Sequence, residues 1–182
     1  MIKGLIILSH DCEDVEALAT IGLLRRAGFD ITSATFDKSK SITTKFKQTV
    51  QTDANAYELN PDDFDFLVLP GGPYVANNLG NTHALDEVIK SFYQRDKLIA
   101  AICAAPRFLG RLGLLENKVF TGFTGADQEV KKGAYHPEAK VIEDGQLITA
   151  RGAGVVYAFV YQIIKHYHGL EKAEALLQNI LH

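Results

Sequence analysis

Cys12 and Cys103 are the only thiols in this 182-residue chain, and their surroundings differ. Cys103 follows the apolar run 98–102 (LIAAI) and precedes Ala104-Ala105-Pro106. A residue at a sharp turn between a buried strand and a helix is held out at the tip, as in the nucleophile elbow of α/β hydrolases. The N–H groups of the following helix favour the thiolate, so a lowered thiol pKa is expected. A thiolate is a nucleophile and also a target for peroxide. The alternative is an inert cysteine filling a small core position at a strand end.

Three further groups carry possible chemistry. Pro70-Gly71-Gly72-Pro73 follows the apolar run 64–69 (FDFLVL). Paired glycines let backbone approach a ligand and aim N–H groups at a developing oxyanion, although the same tetrapeptide also makes an ordinary tight turn. Glu16 falls in the first turn of a helix that starts after Asp11, Glu13 and Asp14. Buried, its carboxyl would hold a proton to share with the thiol or a substrate; exposed, it is one more acid favoured at a helix start. Of the six histidines, His10 leaves the first apolar run and His136 lies in an irregular stretch from which it could reach a site. No histidine has metal-ligand spacing, so no metal is expected.

The elements that must position these groups follow from hydrophobic patterning. Residues 5–8 (LIIL), 29–36, 64–69 and 98–102 read as strands, the unbroken apolar ones buried on both faces. A further short strand is expected near residues 46–50. Val15, Leu18, Ala19 and Leu23 mark a helix that Gly28 closes. Leu85, Val88, Ile89 and Phe92 mark another, with Thr82 as its expected cap. Residues 104–112 read as helix with Pro106 in the first turn. Asp144-Gly145 signals a hairpin, and two apolar stripes, 156–167 and 170–180, flank Gly169. Strands alternating with helices imply a doubly wound α/β sheet in one domain over 1–182. Such sheets bind ligands at the carboxyl ends of their strands. The segments 9–16, 70–74 and 103–106 all leave strands there.

Composition narrows the partners. Nineteen basic and twenty-two acidic residues are mixed along the chain, with no basic block to bind nucleic acid. No apolar stretch approaches a membrane span, and the N-terminal run is too short for a signal peptide. Two cysteines without a scaffold pattern suit a reducing cytoplasm.

The stretches EDVEALAT, RRAGF, LVLPGGP, IAAICAAP and DGQLITARGAG together resemble the ThiJ/PfpI superfamily, which includes the human Parkinson-associated protein and its bacterial relatives. The resemblance covers nearly the whole chain. It implies a flavodoxin-like, glutamine amidotransferase-like fold and a homodimer. By position, Cys103 looks like the family's oxidation-sensitive nucleophile and Glu16 like its protonated partner. Gly71 and Gly72, with Ala104, look like the backbone donors, and Arg26 like a basic residue near the site. The implied activity is cofactor-independent conversion of glyoxal and methylglyoxal, or removal of their early adducts, with oxidative-stress and chaperone roles. The alternatives are a redox-sensing holdase and an amidotransferase-like hydrolase. Ala104 stands where the protease-like branch carries histidine, which argues against peptidase activity. Gly122 and Phe123 stand where human-like relatives carry another histidine, so a Cys–His pair is not visible.

Overall fold

The computed structural model describes residues 1–181. Its strands in chain order are β1 (Lys3–Ile7), β2 (Asp30–Thr35), β3 (Ser41–Thr43), β4 (Thr49–Gln51), β5 (Ala54–Asn55), β6 (Phe66–Leu69), β7 (Leu98–Ile102), β8 (Val119–Phe120), β9 (Ala134–Tyr135), β10 (Val141–Asp144) and β11 (Leu147–Ala150). Five helices join them: α1 (Thr20–Arg26), α2 (Tyr74–Asn78), α3 (His83–Gln94), α4 (Pro106–Arg111) and α5 (Val156–Asn179). Seven strands form one sheet in the order β10-β11-β7-β6-β1-β2-β5, parallel except for the β10–β11 hairpin. β3–β4 and β8–β9 are separate two-stranded ribbons.

The architecture is the expected doubly wound α/β sheet. β6, β7 and β11 are buried along their whole lengths, because helices cover the sheet and leave no wet face. Phe66, Phe92, Phe108, Phe120 and Phe159 are fully buried in the core. Each such ring contributes roughly 1.5–3 kcal/mol of transfer free energy.

Several local expectations shift. The chain around residue 46 is a turn, with Lys47 at φ 68°, and pairing begins only at Thr49. Thr82 precedes α3 but does not cap it: its hydroxyl donates to Asp86. The hairpin turn is Gly145-Gln146, because Asp144 is itself paired with Leu147. The two C-terminal stripes are one helix, α5, broken at Gly169 by its φ of 82°. The helix after Cys103 starts at Pro106, and residues 103–105 form a turn.

Parallel pairing sends β1, β6, β7 and β11 out at one end of the sheet. The functional residues gather at these exits.

Candidate active site

Cys103 leaves β7 with φ 63°, a left-handed conformation that costs an L-residue roughly 1–2 kcal/mol. Two backbone hydrogen bonds hold it there. Its N–H donates to Ala150 O at 2.8 Å, and its carbonyl accepts from Phe123 N–H at 2.7 Å. The turn presents a half-buried thiol to a cleft of about 720 Å3, and the Ala104 N–H donates to the sulfur.

Glu16 reaches the same point from the exit of β1. It lies on a wide π-type turn, Val15–Ala19, that runs into α1. The backbone there is tied down by Glu13, whose carboxylate accepts from Glu16 N–H at 2.8 Å while Glu13 N–H donates to Gly71 O. Glu16 is fully buried. Its Oε2 accepts from Gly71 N–H at 2.9 Å, Oε1 has no conventional partner, and the carboxyl is within hydrogen-bonding reach of the Cys103 thiol. Burial pushes this carboxyl up to about 7, against the opposing pull of Cys103 and Gly71. A protonated Glu16 can donate to sulfur, which gives the unpaired oxygen a role.

The β6 exit supplies backbone. A Cβ on Gly71 would lie 2.6 Å from Cys103 Cβ and 2.8 Å from Glu16 Oε2, so the strand end can pass only as glycine. Gly72 has φ 126° and borders the cleft, and a Cβ there would lie 2.9 Å from Cys12 Cα. The Tyr74 hydroxyl donates to Pro70 O at 2.7 Å and pins the loop from beneath.

The expectation of a lowered thiol pKa is corrected. Burial, then the charge and hydrogen bond of an ionised Glu16, push the Cys103 thiol up, and the Ala104 N–H only partly opposes them. The six-residue α4 starts three residues further on, too late for its dipole to outweigh desolvation. Thiol and carboxyl titrate as a pair. The thiolate is reached when the shared proton sits on Glu16, since the opposing anion is then gone.

Other expected residues fall elsewhere. The Gly71 N–H is engaged by Glu16 and faces no substrate, whereas the N–H of Gly72 has no partner among the described residues. Arg26 binds Asn179 beside a second, shallower depression and does not enter the cleft. His136 is exposed and paired with Glu138 at 3.0 Å. A side chain on Gly122 would collide with Ala126, and among the described residues no histidine borders the cleft.

Glu13, Tyr135, Arg107 and Arg151 border the cleft, and none was given a role from the sequence. Glu13 looked like one acid among several at a helix start. Tyr135 donates to the carbonyls of Gly122 and Phe123 at 3.2 and 3.1 Å and holds that wall in place. Arg107 is bound to Glu129 by two hydrogen bonds, at 2.9 and 2.5 Å. Arg151 leaves β11, a fourth strand exit whose signal was its place directly after the apolar run LITA.

Known proteins resemble this chain over most of its length. The protein dj-1beta of Drosophila melanogaster is 32% identical over 98% of this chain and 96% of its own length. A deglycase of Pyrococcus abyssi is 33% identical over 90% of this chain and 98% of its own. The crystal structure of Drosophila DJ-1beta superposes with a TM-score of 0.92 over 99% of this chain and 97% of its own, at 30% identity. The sequence profile described as DJ-1/PfpI family matches residues 3–166, and with a thiol elbow, a buried carboxyl and two strand-end glycines gathered at one end of the sheet, the chain belongs to that family.

Proposed function

We propose that the chain is a cysteine-dependent, cofactor-independent enzyme that acts on α-oxoaldehydes such as methylglyoxal and glyoxal, or on their early adducts. The carrying observation is the pairing of a cleft-facing thiol with a buried carboxyl whose pKa is about 7. A group poised there can both accept and return a proton at neutral pH. The deglycase names of archaeal relatives support the same reading.

The Cys103 thiolate attacks the aldehyde carbon of methylglyoxal, and the resulting oxyanion meets the N–H groups of Gly72 and Ala104. Glu16 gives the proton it took from the thiol to this oxyanion, completing the hemithioacetal. Now ionised, it removes the proton from the same carbon and returns it to the neighbouring carbon, while the hydroxyl proton passes to the neighbouring oxygen, which yields a lactoyl thioester. Water cleaves the thioester, releasing lactate and the thiol. The sequence is an internal rearrangement plus hydrolysis, so it needs no external oxidant. The test is lactate formation from methylglyoxal by purified wild type and by Cys103→Ala. Equal lactate from both chains removes the reading.

A second reading rests on the contrast in access between the thiols. Cys103 is half-buried and Cys12 is fully buried, so mild peroxide oxidises Cys103 first. Two equivalents of peroxide take the thiol to a sulfinate with loss of two waters, and a protonated Glu16 hydrogen-bonds the product. Equal oxidation of both cysteines in peptide mass spectra eliminates this role. We further propose a cytoplasmic homodimer. Val15 and Leu18 leave apolar surface exposed on the turn into α1, and light scattering should give twice the 20.0 kDa chain mass.

A further inference from the structure

We propose that the cleft selects carbonyl compounds bearing a carboxylate or phosphate, with Arg151 receiving the anion while the carbonyl carbon stands at Cys103. The proposal takes only the identity of the carbonyl, an α-oxoaldehyde or its early adduct, from the function proposed above.

Charges of both signs border the cleft. Glu13, Glu16 and Lys45 gather at the β1 exit, where Lys45 acts on the Glu16 carboxyl, whereas Arg151 enters from β11, three strand positions away across β6 and β7. At ~4.8 Å per strand this separation is about 14 Å, too far for direct pairing. Arg151 lies beside the nucleophile in the sheet, because the residue before it, Ala150, accepts the Cys103 N–H. Arg151 is exposed and borders the cleft, and the single hydrogen bond of its guanidinium is to the Glu138 carbonyl at 3.3 Å. No carboxylate pairs with it among the described residues. Arg107, the other guanidinium bordering the cleft, is already bound by Glu129. On the far side, Glu13 is occupied with the Glu16 N–H, and burial favours the neutral form of Glu16. Arg151 is therefore the guanidinium on the cleft border that no carboxylate among the described residues holds, on the strand next to that of the thiol.

That space exceeds the needs of a three-carbon dicarbonyl. A cleft of about 720 Å3 has the size of sites that hold much larger ligands. The exposed ring of Phe123 and the side chain of Val155 supply an apolar wall beside it. Carboxylate and phosphate both offer paired oxygens to the guanidinium fork.

Alkylation of Cys103 tests this without turnover. Iodoacetate and iodoacetamide both consume the thiolate and expel iodide, so the ratio of their rates cancels the thiolate fraction and reports the charge preference of the cleft. Relative to glutathione measured alongside, the ratio at Cys103, resolved by peptide mass spectrometry, should be about five-fold higher and should shrink with added salt. Arg151→Ala should return it to the glutathione value, Arg151→Lys should keep part of it, and Arg95→Ala, a remote surface change, should leave it alone. Acetate and inorganic phosphate, at matched ionic strength, should slow iodoacetamide in the wild type, and the more effective one names the anion. A ratio at or below that of glutathione, a ratio indifferent to Arg151→Ala, or protection by neither anion overturns the proposal. Absence of lactate from methylglyoxal would overturn the proposed enzyme and leave this ratio unchanged.

Discussion

Cys12 and Cys103 stand at the exits of β1 and β7, at the same end of one sheet, and burial pushes both thiols up. For Cys12 the rise is to about 12, opposed chiefly by a backbone hydrogen bond from the Ser9 segment. Its surroundings are sealed: the residue is fully buried, its N–H donates to Ser9 O and its carbonyl accepts from Lys45 N–H. Cys103 is turned outward by its positive φ, borders a cleft and touches a carboxyl able to take its proton. The difference teaches that a raised thiol pKa does not by itself separate an inert cysteine from a reactive one. Access and a proton partner do.

The sharpest way to break the comparison is to delete each thiol. Cys103→Ala should lower lactate formation by about 1000-fold or more, on the scale of losing a covalent nucleophile. Cys12→Ala should leave the rate within about two-fold while lowering stability by roughly 1 kcal/mol through lost packing, read by urea unfolding. Comparable losses of activity in both variants would mean that the two exits act as one unit.

Next in size is the proton partner, which Cys12 lacks. Glu16→Gln keeps the shape of the side chain and should cost about 100-fold in kcat. The same variant changes the pH dependence of stability. The folded pKa of Glu16, about 7, lies above its ordinary value of 4.5, so folding takes up a proton. Its favourable contribution is whole below about pH 4.5 and is lost as pH rises through about 7, an expected decline of about 3 kcal/mol. Urea titrations across this window should show the decline in wild type and not in Glu16→Gln. Identical slopes in the two chains would show that the carboxyl is ionised throughout.

A smaller effect isolates the strained backbone that turns Cys103 outward. Cys103→Gly should be about 1 kcal/mol more stable than Cys103→Ala, because only glycine adopts φ 63° freely. Equal melting midpoints would show that the turn stores no strain. The smallest effect concerns residues that stand outside the cleft. Arg26→Ala and His136→Ala should each leave kcat/KM within about two-fold, since neither touches the site and surface changes are mild. A ten-fold loss in either would place that side chain within reach of the substrate.

Much of the fold was legible because burial writes itself into local pattern. The runs LIIL and LIAAI are apolar without alternation, which only a strand covered on both faces tolerates. Gly28 and Gly169, both at positive φ, sit where helical stripes stop. Errors arose where a side chain had two possible partners. Thr82 could bond a free N–H or Asp86, and Asp144 could enter the turn or stay paired while binding Lys118 and the Val119 N–H. Distant partners hold both arrangements: Arg111 donates to Thr82 and to Asp86, and Lys118 and the Val119 N–H donate to Asp144.

For the site, the sequence by itself determined that a cysteine, an acid and two glycines stand at strand exits. That follows from hydrophobic period and glycine placement, which are local. Only the tertiary structure decided that the Gly71 N–H serves Glu16, that Arg26 and His136 lie outside, and that, among the described residues, the Gly72 N–H has no partner and Arg151 borders the cleft without a carboxylate. Those outcomes depend on the spatial order of the strands, which brings Ala150 beside Cys103 although 47 positions separate them in the chain. They also depend on desolvation, which reversed the expected shift of the Cys103 thiol. Desolvation depends on what the rest of the chain packs around a group, and no short stretch of sequence carries that information.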